Sequence, residues 1–288
     1  MSSTIILKRR IKSISNTRQI TKAMELVSAS KLRRAQEYAS ASREYREIGY
    51  DLLRKLNAIA EISEQPLFKK RDVKNRLYIV VTSNTGLAGA YNANVLKALS
   101  ENLKADQSSK IKSHIIAIGS KGANFARRIS GVDLAGVYPP FPDRPSANDV
   151  RPILSTIIEK YEDESVDDVK IVYTVFKSNL VQEAQILDLL PAPLLDEDKE
   201  KSATSNFEPD PETAIEQIAT RLLEAQIWQA VLESLASEHA MRMIATKNAT
   251  DNANDLIDDY TLELNTARQA AITQELAEIT GGAEAISA

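Results

Sequence analysis

Residues 212–280 contain neither glycine nor proline. Nothing in this run breaks a helix, so it predicts a single helix of roughly 100 Å at about 1.5 Å rise per residue. Asp210 stands where a cap would accept the first free backbone N–H groups, and Pro211 suits the first helical position. Gly281 and Gly282 are expected to end the helix. A helix this long exceeds what one compact domain covers. Ala253, Ile257, Tyr260, Leu264, Ala267 and Ala271 recur at alternating steps of four and three, which is the seam of a coiled coil and requires a partner helix.

The other end of the chain supplies that partner. Residues 1–64 hold no proline and only Gly49, so a second long helix is predicted, with an apolar stripe clearest at Tyr38, Ala41, Tyr45, Ile48, Leu52, Leu56 and Ile59. Its beginning is basic: Lys8, Arg9, Arg10, Lys12, Arg18, Lys22, Lys31, Arg33 and Arg34 face only Glu25. After Pro211 acids dominate, among them Glu233, Glu238, Asp251, Asp255, Asp258, Asp259 and Glu263. Opposite charge favours pairing of the two ends, and the long stretch between them allows an antiparallel two-stranded coiled coil.

That stretch reads as an α/β unit. Apolar, β-branched runs at 77–81, 114–119, 132–138 and 169–176 predict strands, and 185–190 is expected to pair with the last of them. Residues 91–103 and 147–161 predict the intervening helices. Alternation of this kind means a Rossmann-like domain with a mostly parallel sheet. The predicted organisation is a helix over 1–65, the α/β domain with an exposed acidic loop over 66–208, and a helix over 209–288.

Composition narrows the chemistry. With no cysteine, disulfides, thiolate catalysis and cysteine-ligated metals are excluded. A net charge of -4 argues against a general nucleic-acid binder, although the basic first helix leaves a coiled-coil nucleic-acid binder as one alternative. No run approaches the ~20 apolar residues of a membrane span. The turn Ser83-Asn84-Thr85-Gly86-Leu87-Ala88-Gly89-Ala90 follows the first strand, where a nucleotide-binding fold places its phosphate loop. It has G-x-x-G in place of G-x-G-x-x-G, so a tight strand-to-helix turn is preferred over the second alternative, a nucleotide-dependent enzyme. The only histidines, His114 and His239, lie apart in sequence and are expected to be partly buried structural groups. Trp228 falls at helical spacing with Leu232 and Leu235 and is expected in the core. No catalytic group, cofactor or metal site is predicted.

Three stretches carry a resemblance to a known family. They are ITKAMELVSASKLRRAQ at 20–36, SEHAMRMIATKNATDNA at 237–253 and ITQELAEITGGAEA at 272–285. Together they resemble the gamma subunit of the F-type ATP synthase, in the bacterial form, and the resemblance spans essentially the whole chain. The family usually carries Asp-Arg before the Gly-Leu of the first turn and often Cys after it, where this chain has Asn84, Thr85 and Ala88.

The resemblance implies a central rotor shaft without an active site of its own. Its coiled coil would turn inside the ring of alpha and beta subunits, and its α/β domain would stand on the membrane c-ring beside the epsilon subunit. Proton flow through the c-ring would then be coupled to ATP synthesis or hydrolysis at the beta subunits. Met24, Lys8, Arg9, Arg10, Lys12, Arg268 and Gln269 would face the beta subunits, and Phe207, Glu208 and Asp210 the c-ring and epsilon. The implied location is the cytoplasmic face of a bacterial plasma membrane, held there only through the complex. Arg268 has no carboxylate three or four residues away, so its partner is either Glu25 on the paired helix or a beta-subunit loop.

Overall fold

The structure, a computed structural model, describes residues 2–57, 65–142, 145–192 and 211–287. Its elements are α1 (Ser2–Asn57), β1 (Asn75–Val81), α2 (Tyr91–Ser108), β2 (Lys112–Ile118), α3 (Ser120–Ala126), β3 (Val132–Tyr138), α4 (Arg151–Glu162), β4 (Asp168–Phe176), β5 (Gln182–Leu190) and α5 (Pro211–Ser287). They fall into two compact units, Met1–Ser28 with Met243–Ala288, and Ala29–Arg242.

The larger unit is built on a five-stranded sheet of order β3-β2-β1-β4-β5. The first four strands are parallel and β5 runs antiparallel to β4. The central strands are buried on both faces because their side chains alternate between two cores. Leu77, Ile79 and Val81 of β1 join Ile116, Ile118 and Ile171 in a cluster with Ile153 and Ile157 of α4 and Leu223, Ile227 and Val231 of α5. Tyr78 and Val80 point the other way, to Val95 and Leu99 of α2 and Ala123 and Ala126 of α3. Each leucine or isoleucine taken fully out of water there stabilises the fold by about 1.5–3 kcal/mol. Trp228 packs against the first cluster, as its spacing predicts.

Several boundaries differ from expectation for identifiable reasons. The helix predicted over 147–161 splits into a 3₁₀ turn, Ala147–Asp149, and α4. Pro152 has no N–H to offer the carbonyl four residues back and its ring crowds that carbonyl, so a regular helix cannot extend through this point. Reciprocal bonds between Ser146 and Asp149 cap the turn instead. α3 is an unforeseen element, only seven residues long with Gly122 inside it. Most importantly, Gly281 and Gly282 do not stop α5, which runs on to Ser287. Neither adopts the positive φ of a helix-ending glycine, and glycine within a helix costs about 1 kcal/mol without forbidding it. The proposed cap Asp210 lies outside the described residues.

The smaller unit is an antiparallel helix pair. Arg18 donates to Asn254 at 3.3 Å, Thr250 to Thr21 at 2.8 Å, and the Arg10 guanidinium lies 5.8 Å from the Tyr260 ring centre. As the residue number rises on one helix it falls on the other, which fixes the direction. Beyond Asn252, the positions withdrawn from solvent are Ala253, Ile257, Tyr260, Leu264, Ala267 and Ala271, the predicted seam. On α1 the matching row begins apolar, at Leu7, Ile11 and Ile14, and continues through Arg18, Thr21 and Ser28. It thus turns polar and small toward the larger residue numbers. It also lies earlier on the helix than the stripe read from the sequence, most of which falls on residues whose side chains are not described. Tyr38, which is described, is 38% exposed.

Among the described residues of this unit no ion pair crosses from α1 to α5. Lys22 pairs with Glu25 on its own helix at 3.1 Å. Around Thr21 and Thr250, small side chains and hydroxyls let the backbones approach, and the bases Lys8, Arg9, Lys12 and Lys22 are left on the outside.

Candidate functional site

The residues singled out for partner contact lie along the helix pair. Lys8, Arg9, Arg10 and Lys12 are all exposed, and Met24 is half-buried beside the seam. Arg268 and Gln269 are exposed next to the seam residue Ala267. The pairing of Arg18 with Asn254 and Arg10 with Tyr260 sets Arg268 level with the first residues of α1. Glu25 is therefore roughly six helical turns away and cannot be its partner, which corrects one of the two options above. Among the described residues Arg268 has no salt bridge. Met24 is distant from Arg268 for the same reason, so the predicted contact residues form a row along the pair and not a cluster. Phe207, Glu208 and Asp210 lie outside the described residues.

A second constellation lies within the larger unit, at the carboxyl ends of β1 and β4. These neighbouring strands leave in opposite directions along the sheet order, and the crevice outside such a switch point is where open α/β sheets bind ligands. Here α5 covers the crevice. Thr174 N–H of β4 donates to Ser234 Oγ at 3.0 Å and Ser237 Oγ donates to Thr174 O at 3.3 Å. One turn further on, Arg242 bonds Glu238 at 2.6 Å and donates to Thr85 Oγ1 at 3.1 Å.

The turn after β1 is likewise committed to the chain itself. Ser83 N–H donates to Asn92 Oδ1, Ser83 Oγ to Thr85 O, and Ser120 N–H to Asn84 Oδ1. This is the tight turn that the sequence favoured over a phosphate loop. Asn84 and Thr85 are acceptors here, for Ser120 and for Arg242 respectively. What α5 leaves of the crevice is a cavity of about 220 Å³ bordered by Lys31, Tyr38, Thr85, Phe141, Glu238 and His239, among others. His239 contacts Arg242 through Nδ1 at 3.5 Å. The other histidine, His114, sits 3.0 Å from Asp133 on the neighbouring strand. Sequence reading passed over Arg242, although Glu238 four residues before it is the spacing of an intrahelical ion pair.

Burial raises the Glu238 pKa above its ordinary 4.5, with Arg242 and then Lys31 acting against the shift. Over the window above 4.5 the native carboxyl thus keeps a proton that the unfolded chain has lost, so its contribution to stability falls as pH rises through that window. The stability of the wild type relative to Glu238→Gln should accordingly increase as pH is lowered from neutrality toward 4.5. Urea titrations of both chains at several pH values check this, and a pH-independent difference would contradict it.

Among the described residues no group of three or more His, Asp or Glu is placed to hold a metal ion, and no helix is long and apolar enough to cross a membrane. Comparison with known proteins gives a consistent result. A family model described as ATP synthase matches residues 3–286. A protein of Staphylococcus saprophyticus named ATP synthase gamma chain is 40% identical over 99% of this chain and 100% of its own length. One of the same name from Alkaliphilus metalliredigens is 38% identical over 97% of each. Among solved structures, a chain of the Euglena gracilis mitochondrial ATP synthase (OSCP/F1/c-ring) superposes with a TM-score of 0.71 at 19% identity, over 99% of this chain and 95% of that one. A chain from the Tetrahymena thermophila mitochondrial ATP synthase central stalk and c-ring gives 0.58 at 22% identity, over 80% and 99%.

Proposed function

Because the chain belongs to the ATP synthase gamma family, we propose that it is the central rotor shaft of an F-type ATP synthase, coupling ion flow through the membrane c-ring to ATP synthesis or hydrolysis at the beta subunits. The observation that carries this reading is the match to gamma chains along their whole length. The antiparallel pair with its outward bases suits the task physically, since a shaft must resist twisting and present charge to the ring around it.

On this reading the chain is a non-catalytic subunit, and hydrolysis belongs to the beta subunits. Its partners are the alpha and beta subunits, epsilon and the c-ring. Its place is peripheral, at the cytoplasmic face of a bacterial plasma membrane. Residues 1–65 and 209–288 form the shaft, and 66–208 the domain that meets the c-ring and epsilon, with Phe207, Glu208 and Asp210 in that contact. Met24, Lys8, Arg9, Arg10, Lys12, Arg268 and Gln269 face the beta subunits. Exposure of these seven except Met24, and the lack of an ion pair at Arg268 among the described residues, support this assignment.

Adding the chain to alpha and beta subunits should raise their steady ATP hydrolysis, because rotation opens sites that release product slowly. In the assembled complex, Arg268→Leu with Gln269→Leu should lower hydrolysis and ATP-driven proton pumping about ten- to hundredfold. A charge-assisted contact made in one rotational state only is typically worth about 1.5–3 kcal/mol. An assembled double variant that pumps at the wild-type rate would remove both residues from the contact. A chain that leaves hydrolysis by alpha and beta unchanged would overturn the shaft reading itself.

A further inference from the structure

The larger unit has a second opening, a groove of about 340 Å³ between the last turns of α2 and the connection from α3 to β3. Its lining lies within residues 100–132, one continuous described stretch. Leu103, Ile111, Phe125, Ile129 and Val132 make an apolar floor, and all of these except Leu103 stay half-buried. Two hydroxyls of the lining are already committed. Ser100 Oγ donates to Leu96 O of its own helix at 2.9 Å, and Ser113 Oγ to Asp106 at 3.1 Å. Lys104 is the one charged residue of the lining and is exposed. Among the described residues its ammonium has neither an ion pair nor a hydrogen bond. Gln107, one turn on, is exposed as well. Three acids lie beside the groove in sequence. Asp106 is buried against Arg76 and Tyr78, and Asp133 bonds His114 on the next strand. Glu101, exposed one turn before Lys104, forms no salt bridge with it.

We propose that this groove binds a single-chain carboxylate, a fatty acid of medium length, with the acyl chain along the apolar floor and the carboxylate at Lys104. The floor decides the class of ligand. Each methylene it takes out of water strengthens binding by up to about fourfold. One exposed ammonium adds little where no chain is buried. A peptide or a nucleotide would bring more polar groups than the lining can match, and each one left unmatched costs affinity. Held there, the ligand would bridge α2, the start of β2 and the α3–β3 connection, and would raise the resistance of the larger unit to unfolding with occupancy. Binding of this kind is a property of the chain alone, whatever its partners in a complex.

The test uses the full chain, with hexanoate, octanoate and decanoate as probes below their micelle concentrations, and with acetate and 1-octanol as comparisons. Calorimetric titration should show saturable one-to-one binding that tightens by about two- to fourfold per methylene from hexanoate to decanoate. Acetate has the charge without the chain and should not saturate. Lys104→Gln should weaken octanoate about threefold or more at low ionic strength and leave 1-octanol unchanged, because only the charge is lost. Lys121→Gln removes an exposed base of α3 outside the lining and should bind octanoate as the wild type does. Both lysines are exposed, so the melting temperature without ligand should stay the same in both variants. Absence of saturable binding by decanoate would overturn the proposal. So would an affinity that does not change with chain length, a Lys104→Gln chain that binds octanoate as tightly as the wild type, or an equal loss in Lys121→Gln.

Discussion

Replacing Arg76 with methionine should lower the unfolding free energy of the full chain by about 3–5 kcal/mol, the range for stripping one partner from a buried ion cluster. Arg76 leaves β1 and bridges two other elements, bonding Asp106 of α2 through Nη1 and Asp168 of β4 through Nε. Neither acid has much access to water, with side-chain exposures of 2% for Asp106 and 11% for Asp168. Asp106 also accepts from Tyr78 at 2.7 Å and from Ser113 at 3.1 Å, so residues of β1 and β2 meet at this one carboxylate of α2. Burial already raises the Asp168 pKa, against the pull of Lys170 and Arg76.

Methionine keeps much of the arginine volume and removes the charge, leaving the buried Asp106 without its cation and Asp168 with only Lys170, at 3.9 Å. The variant should therefore recover much of its loss when Asp106→Asn and Asp168→Asn are added, a coupling that independent sites would not show. Urea unfolding followed through Trp228, the one tryptophan, reads the core of this unit directly. A loss of less than about 1 kcal/mol for Arg76→Met would mean that the cluster is solvated in solution.

Gly119→Ala should be destabilising by about 3 kcal/mol or more, through two effects that a second variant separates. Gly119 lies between β2 and α3 with φ at +89°, and a Cβ there would come 2.2 Å from the Thr82 carbonyl oxygen. The approach is close because Thr82 holds the crossing together. Its Oγ1 donates to Ile118 O at 2.9 Å and accepts from Gly122 N–H at 2.8 Å. Gly131 has a similar φ of +82° with nothing within 4 Å of a built Cβ. Gly131→Ala should therefore show only the conformational part, about 1–2 kcal/mol. Equal losses for the two variants, measured by urea titration, would show that the backbone at Gly119 gives way and that the contact with Thr82 is not rigid.

The strands were readable because their cause is local. Val132–Tyr138 has the limits that its apolar pattern predicts, and Asp168–Phe176 starts one residue early. The seam on α5 was readable for the same reason, as it rests on apolar residues at fixed steps. Its counterpart on α1 keeps those steps through Leu7, Ile11 and Ile14, but Arg18, Thr21 and Ser28 then carry it on with polar side chains. Ile5, Ile6 and Ile20 blur it further, since they are apolar and yet exposed. Burial of Thr21 and Ser28 follows from how closely the backbones pack, which only the pairing reveals. α3 was hidden because seven residues carry too few helical periods to register. The continuation of α5 through Gly281 and Gly282 depends on neither glycine adopting the positive φ of a helix end, and sequence records only that each could. At the crevice, Thr85 and Arg242 are 157 positions apart and meet through tertiary structure alone.

The smaller unit is made from the two ends of the chain, Met1–Ser28 and Met243–Ala288, with the whole of the larger unit between them in sequence. During synthesis its first half leaves the ribosome well before its second half, so the helix pair cannot close until residues beyond 243 have emerged. The intervening unit has all its strands and both its cores available earlier, and domains generally fold as units from the N-terminal side. Once the larger unit has formed, it replaces a long flexible loop with a folded insert, which lowers the entropy that closure of the pair must overcome. Until then the start of the chain is basic and unpaired, and the row from Leu7 to Ser28 has no partner helix to cover it. A newborn chain therefore passes through a stage in which the part that pairs last is also the part most open to association with other molecules.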